Sequence, residues 1–149
     1  KNVPVLYDVF NDQMISFSGN DLFVLQTEKI SDVYLLGHHF IRLVNGLPQG
    51  FYDLLYEGKT QVLAKRTKMS DDEIIQSQTV KFILDDRTAL FVKKDNKYYP
   101  VTGRGALTNV FKDKKKEINQ YLRDHDLDYK RDKEATVTAV AAYYDQIAK

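Results

Sequence analysis

Lys97-Tyr98-Tyr99-Pro100-Val101-Thr102-Gly103-Arg104-Gly105-Ala106-Leu107 is the stretch at which this chain changes its pattern. On its N-terminal side, short apolar runs alternate with polar tips, as in strands joined by hairpins. On its C-terminal side, apolar residues recur at helical spacing: Ile118, Tyr121, Leu122 and His125, then Thr136, Val140, Tyr143, Tyr144 and Ile147. Strands gathered in one run and helices in another predict an α+β fold. Strand after strand across short turns predicts antiparallel pairing. The expected architecture is a curved antiparallel sheet or partly closed barrel over residues 1–101, with the helical tail of 102–149 packed on it as one domain.

Outward from that stretch, Asp95-Asn96 tips a hairpin into 97–101, and both residue types tolerate left-handed backbone. Residues 79–84 and 88–94 read as two strands across Asp85-Asp86-Arg87, and 67–77, polar and acidic, as a loop or short helix. Residues 51–56 and 60–66 pair across Glu57-Gly58-Lys59, where Gly58 supplies a positive φ. Residues 45–50 form a loop. Strands are expected over 3–10, 14–17, 22–26, 33–36 and 38–44. Asp113 and Asp132 are the expected caps of the last two helices. The expected core is Phe17, Phe23, Leu25, Phe40, Ile41, Leu55, Val62, Phe82, Leu84, Phe91, Val92 and Phe111, a choice that a one-residue slip would reverse.

Composition excludes more than it proposes. The 149 residues carry 22 basic and 21 acidic side chains, a net charge of +1. No bulk field is therefore aimed at nucleic acid or an anionic bilayer. Cysteine is absent, which removes disulfides, thiolate metal sites and a Cys nucleophile. No apolar run approaches the ~20 residues of a spanning helix. The chain starts at Lys1 without Met, with a strand pattern already under way, so a removed upstream segment such as a signal peptide is expected.

Candidate chemistry is sparse. His38 and His39 are adjacent, and neighbours on a strand face opposite ways. Asp53 or Glu57 would have to join them for a metal, and the spacing does not supply such a set. Asp71-Asp72-Glu73 and Asp85-Asp86 are consecutive, whereas a hard cation needs converging oxygens. Gly103-Arg104-Gly105 is too short for a phosphate loop, and no Gly-x-Ser-x-Gly elbow occurs. Lys112-Asp113-Lys114-Lys115-Lys116 reads as a solvated helix start. No catalytic residue, cofactor or metal is implied. Tyr52, Tyr56, Tyr98 and Tyr99 lie on hairpin strands and are the candidate binding residues, as cross-strand aromatics that could offer an exposed row.

Several segments taken together carry a resemblance: residues 7–13, 40–43, 50–59, 98–101 and 111–118, including Gly50-Phe51-Tyr52-Asp53-Leu54-Leu55-Tyr56-Glu57-Gly58-Lys59. They resemble a group of uncharacterised secreted or envelope-associated proteins of Bacteroidetes-type bacteria, which has no assigned activity. The resemblance implies an extracytoplasmic location, periplasmic or at the cell surface. The expected function is a non-catalytic binding or structural domain of the cell envelope with a protein or carbohydrate partner. The alternatives are a hydrolase using His38 or His39 with Asp53, and a carbohydrate- or peptide-binding module using the tyrosines.

Overall fold

The computed structural model describes residues 4–73 and 81–148, with side chains described outside 69–86. Strands β1 (Val5–Asp8), β2 (Gln13–Ser18) and β3 (Asp21–Val24) form one sheet in that order. A second sheet runs β4 (Asp32–Leu35), β5 (His38–Leu43), β6 (Gly50–Glu57), β7 (Gln61–Glu73), β8 (Lys81–Lys94) and β9 (Lys97–Val101). Every pairing is antiparallel. Helices α1 (Arg104–Val110), α2 (Lys115–Asp124) and α3 (Lys133–Ile147) follow. The α+β class and the change of structure near residue 101 are as the sequence predicts.

Two sheets stand where one curved sheet was expected, and neither closes. The chain leaves β3 through a 3₁₀ turn at Thr27–Lys29 and re-enters at β4 without pairing to β3. Residues 67–73 are strand and not loop or helix, and 81–94 is one strand and not two. The β7–β8 register runs unbroken from Gln61↔Lys93 to Glu73↔Lys81, setting Lys68 opposite Asp86. An unbroken ladder supplies every backbone partner, and this outweighs the local turn preference of Asp85-Asp86-Arg87. The expectations over 74–80 lie outside the described residues.

The β8–β9 hairpin turns at Asp95 and Asn96 with φ of 51° and 60°, the type I′ geometry expected. Gly58 differs: it does not take a positive φ. A Cβ there would collide with the Asp145 carboxylate and the Tyr56 hydroxyl, so glycine serves close approach. The Asp145 carboxylate accepts hydrogen bonds from Tyr56 Oη at 3.0 Å and from the Thr60 amide. These tie α3 to the β6–β7 hairpin.

One face of the six-stranded sheet carries two apolar cores. Register aligns Phe40, Asp53, Ala64, Leu90 and Val101 in a row across β5 to β9. Ala64, Leu90 and Val101 pack with Val62, Val92, Leu107, Phe111, Ile118, Leu122, Val137, Val140 and Tyr144 under the helices. Phe40 packs with Met14 and Phe51 under the three-stranded sheet. Of the expected core, Phe40, Val62, Val92 and Phe111 are buried. Phe17, Leu25, Ile41, Leu55 and Phe91 are half-buried. Phe23 is 51% exposed, because it sits on an edge strand. Phe82 and Leu84 fall among the side chains outside the description.

The helical stripes pack as their spacing requires. Ile118 and Leu122 are buried, and Tyr121 stacks on Tyr143 at 4.1 Å. Asp132 caps α3, accepting from the Ala135 amide at 3.0 Å. Asp113 does not cap α2, which begins after a 3₁₀ turn at Lys112–Lys114. Its carboxylate instead accepts from Lys94 Nζ at 2.9 Å and Tyr144 Oη at 2.7 Å, a stronger use of a charge than a cap. Leu122→Ala is expected to cost roughly 2–5 kcal/mol in chemical denaturation. A loss under about 0.5 kcal/mol would be a surface effect and would contradict this packing.

Candidate functional site

Asp53 lies in the aligned row between Phe40 of one core and Ala64 of the other, and it is 1% exposed. A carboxylate there needs partners. His38, two residues before Phe40 on β5, shares its face and places Nδ1 at 2.7 Å from Asp53 Oδ2. Arg66, two residues after Ala64 on β7, reaches the same oxygen through Nη2 at 2.7 Å and Nε at 3.1 Å. Arg66 Nη2 also donates to Glu134 Oε1 at 2.8 Å, on the first turn of α3. Burial acts to lower the Arg66 pKa. The bonds to Glu134 and Asp53 outweigh it, and the guanidinium is held above its ordinary value.

A second cluster adjoins the first. Asp12, in the β1–β2 turn, accepts from Tyr7 Oη at 2.6 Å, Lys65 Nζ at 2.7 Å and the Phe51 amide. Burial first, and then the Asp12 bond, hold the Tyr7 hydroxyl well above its usual pKa. Tyr7 stacks obliquely on Phe40 at 4.8 Å. Asp12 thus pins the three-stranded sheet to the start of β6, and a Cβ on Gly50 would strike its carboxylate.

The histidine–carboxylate pair named by the sequence is therefore brought together, through His38 and not His39. His39 faces away, stacked on Tyr34 at 4.1 Å. The chemistry open to His38 is limited by its partner. A carboxylate orients and activates an imidazole by stabilising the imidazolium. Here Arg66, which is shared with Glu134, already occupies the same oxygen of that carboxylate. A cleft of about 200 Å³ touches Arg66, with Val9, Thr67, Lys68, Arg87 and Thr88. His38 does not line it, and it is smaller than the usual ligand pocket of ~300–1,000 Å³. Among the described residues, no three His, Asp or Glu side chains converge as a metal site. His38→Ala should cost only about 0.5–1.5 kcal/mol by urea denaturation, since the ring is 48% exposed and Arg66 still pairs Asp53. A loss above about 3 kcal/mol would show that the histidine, not the arginine, satisfies Asp53.

The tyrosines do not form a solvent-facing row. Tyr52 is 1% exposed, its hydroxyl donates to the Pro48 carbonyl at 2.7 Å, and Lys65 Nζ lies 5.0 Å over its ring. Tyr56 is bound to Asp145. Tyr98 is half-buried against Gly46, and Tyr99 is half-buried against the helical core. A bulge between Leu54 and Tyr56 puts Tyr56 out of phase with Tyr52. Aromatics in β-rich chains pack across strands, and these do.

Exposed apolar surface lies elsewhere. On the outer face of the three-stranded sheet, Leu6, Ile15 and Val24 align in one row and Phe17 with Leu22 in the next. Leu6, Leu22 and Val24 are more than half exposed. Tyr34 and Leu36 on the β4–β5 hairpin are 76% and 90% exposed. Strand alternation was legible at Leu22 and Val24, but which face would be covered was not. Comparison with known proteins finds no family model, no curated protein and no solved structure that matches this chain. Among the described residues, no helix is long and apolar enough to cross a membrane.

Proposed function

We propose that this chain is a non-catalytic binding domain of the bacterial cell envelope, and that it contacts a protein through the outer face of the β1–β3 sheet. The observation that carries the reading is the aligned apolar set Leu6, Ile15, Phe17, Leu22 and Val24. A sheet face bearing five apolar side chains with no described element over it marks an interaction surface. The envelope location rests on the resemblance of residues 7–13, 40–43, 50–59, 98–101 and 111–118. A carbohydrate partner is less favoured, because the aromatic side chains that would stack on sugar rings are packed inward.

The test is affinity capture from an envelope fraction with the intact protein and with Leu6→Lys/Leu22→Lys. A protein retained by the first and lost from the second is the expected result. Equal retention, or none, would remove the reading. The 2.7 Å contact of His38 Nδ1 with Asp53 favours a second reading, a hydrolase in which His38 is the general base. It requires that His38→Ala abolish a hydrolytic activity while the protein stays folded.

A further inference from the structure

We infer that the free edge of β3 takes up an extended polypeptide segment as an added antiparallel strand, and that the segment has alternating apolar side chains flanked by Lys or Arg. The inference rests on the binding reading above and deepens it.

The backbone comes first. The Leu25 amide donates to the Met14 carbonyl at 2.8 Å. That makes Met14–Leu25 a hydrogen-bonded pair of the β2–β3 ladder, and such pairs alternate along an antiparallel pairing. Phe23 opposite Ser16 is the next bonded pair. Leu22 and Val24 then direct their N–H and C=O groups away from β2, and β3 ends its sheet. Two consecutive bonding positions stand open at one edge.

The side chains agree. All four residues of β3 are exposed, although three of them are apolar: Leu22 at 64%, Phe23 at 51% and Val24 at 57%. Leu22 and Val24 point to one face and Phe23 to the other. An object resting on the outer face alone would leave Phe23 bare. A strand laid along the edge meets both faces and the open backbone groups at once. The β1 and β9 edges are blunted in the usual ways, β1 following Pro4 and β9 holding Lys97 and Pro100, and β4, which like β3 begins with a single Asp, has two of its four residues half-buried. β3 has only Asp21, at its start.

Charge selects the occupant. Between Asn2 and Glu28 the sequence has no Lys or Arg, Lys29 follows directly, and the acids are Asp8, Asp12, Asp21 and Glu28. Asp12 is paired with Lys65, and Asp8 binds the Asn11 side chain and the Phe10 amide. Asp21, the first residue of β3, and Glu28, in the 3₁₀ turn after the strand, are exposed and have no ion pair among the described residues. A second copy paired along β3 would add two carboxylates, Asp21 and Glu28, against one cation, Lys29, and so meet a like net charge. A segment with basic residues on both flanks of its apolar centre complements both ends.

The probe is a fluorescent peptide, Arg-Lys-Val-Thr-Val-Thr-Val-Lys-Arg, titrated into the intact protein at low salt. Saturable binding is expected. It should weaken roughly tenfold or more for the peptide with Glu at its four basic positions, and likewise for Asp21→Lys/Glu28→Lys. Val24→Pro should abolish it, because proline removes an outward N–H without taking a bond from β2. Glu28 lies outside β3, so a loss with Glu28→Lys alone cannot come from a change within the strand. No saturable binding, equal binding of the acidic peptide, or self-association of the protein through β3 would each overturn the inference. A captured envelope protein lost with Leu6→Lys/Leu22→Lys but kept by Val24→Pro would overturn strand addition and leave the binding reading intact.

Discussion

Arg66→Ala should destabilise the protein by about 3–5 kcal/mol, the cost of stranding one member of a buried ion pair. The argument rests on Asp53, which is 1% exposed and stands between the two cores. Of the three donor atoms on its Oδ2, two belong to Arg66. Removing the guanidinium leaves His38 Nδ1 as the only one of these donors, from a ring that is half in solvent. It also unties Glu134 from the sheet. The measurement is urea denaturation at neutral pH, beside the double variant Arg66→Ala/Asp53→Ala. Removing both charges should recover part of the loss, because an unpaired buried carboxylate costs more than its absence. If the double variant is less stable than the single by the full cost of Asp53→Ala alone, the two residues are not coupled and the network is not what holds this seam.

Phe111→Ala should cost about 3–5 kcal/mol, as other buried aromatic truncations do. Phe111 is fully buried where α1 ends, its ring lies 4.6 Å from Tyr144 of α3, and Lys94 Nζ sits 4.8 Å over Tyr144 and 5.9 Å from Phe111. It therefore joins β8, α1 and α3, and the cavity left behind cannot close without moving all three. Thermal or urea unfolding should show the loss. Phe111→Leu should recover part of it by filling most of the cavity. A loss of less than about 1 kcal/mol for Phe111→Ala would mean that the helices are not joined to the sheet through this residue.

The two candidate sites differ in how they could be read. His38 and Asp53 are visible as residue types, but they lie 15 positions apart. Only the β5–β6 register, Phe40 opposite Asp53, brings them to one face. Arg66 and Glu134 were missed because a lone arginine on a strand and an acid in a helical first turn carry no pattern. Their 68-residue separation is closed by packing alone. The packing of the tyrosines is hidden for the opposite reason. Their alternation was clear, but the loop over 45–49, reaching Tyr52 through Pro48 and Tyr98 through Gly46, covers a face that alternation leaves open. The exposed edge of β3 carries no distinguishing signal in the sequence, since Asp21-Leu22-Phe23-Val24 and Asp32-Val33-Tyr34-Leu35 share one pattern, an acid before three apolar residues.

The sequence by itself determined the class of fold, the change of structure near residue 101, the type I′ turn at Asp95-Asn96, the Asp132 cap and the buried stripes of α2 and α3. Each depends on residues close together in the chain, so period and turn chemistry suffice to specify it. Tertiary structure alone decided the division into two sheets, the straight run of β8 through Asp85-Asp86-Arg87, the burial of Tyr52 and the ion-paired seam at Asp53. These depend on which strand lies beside which and on what covers each face. The free energy that settles them comes from long-range burial and ladder bonding, which exceeds the local preferences it overrides.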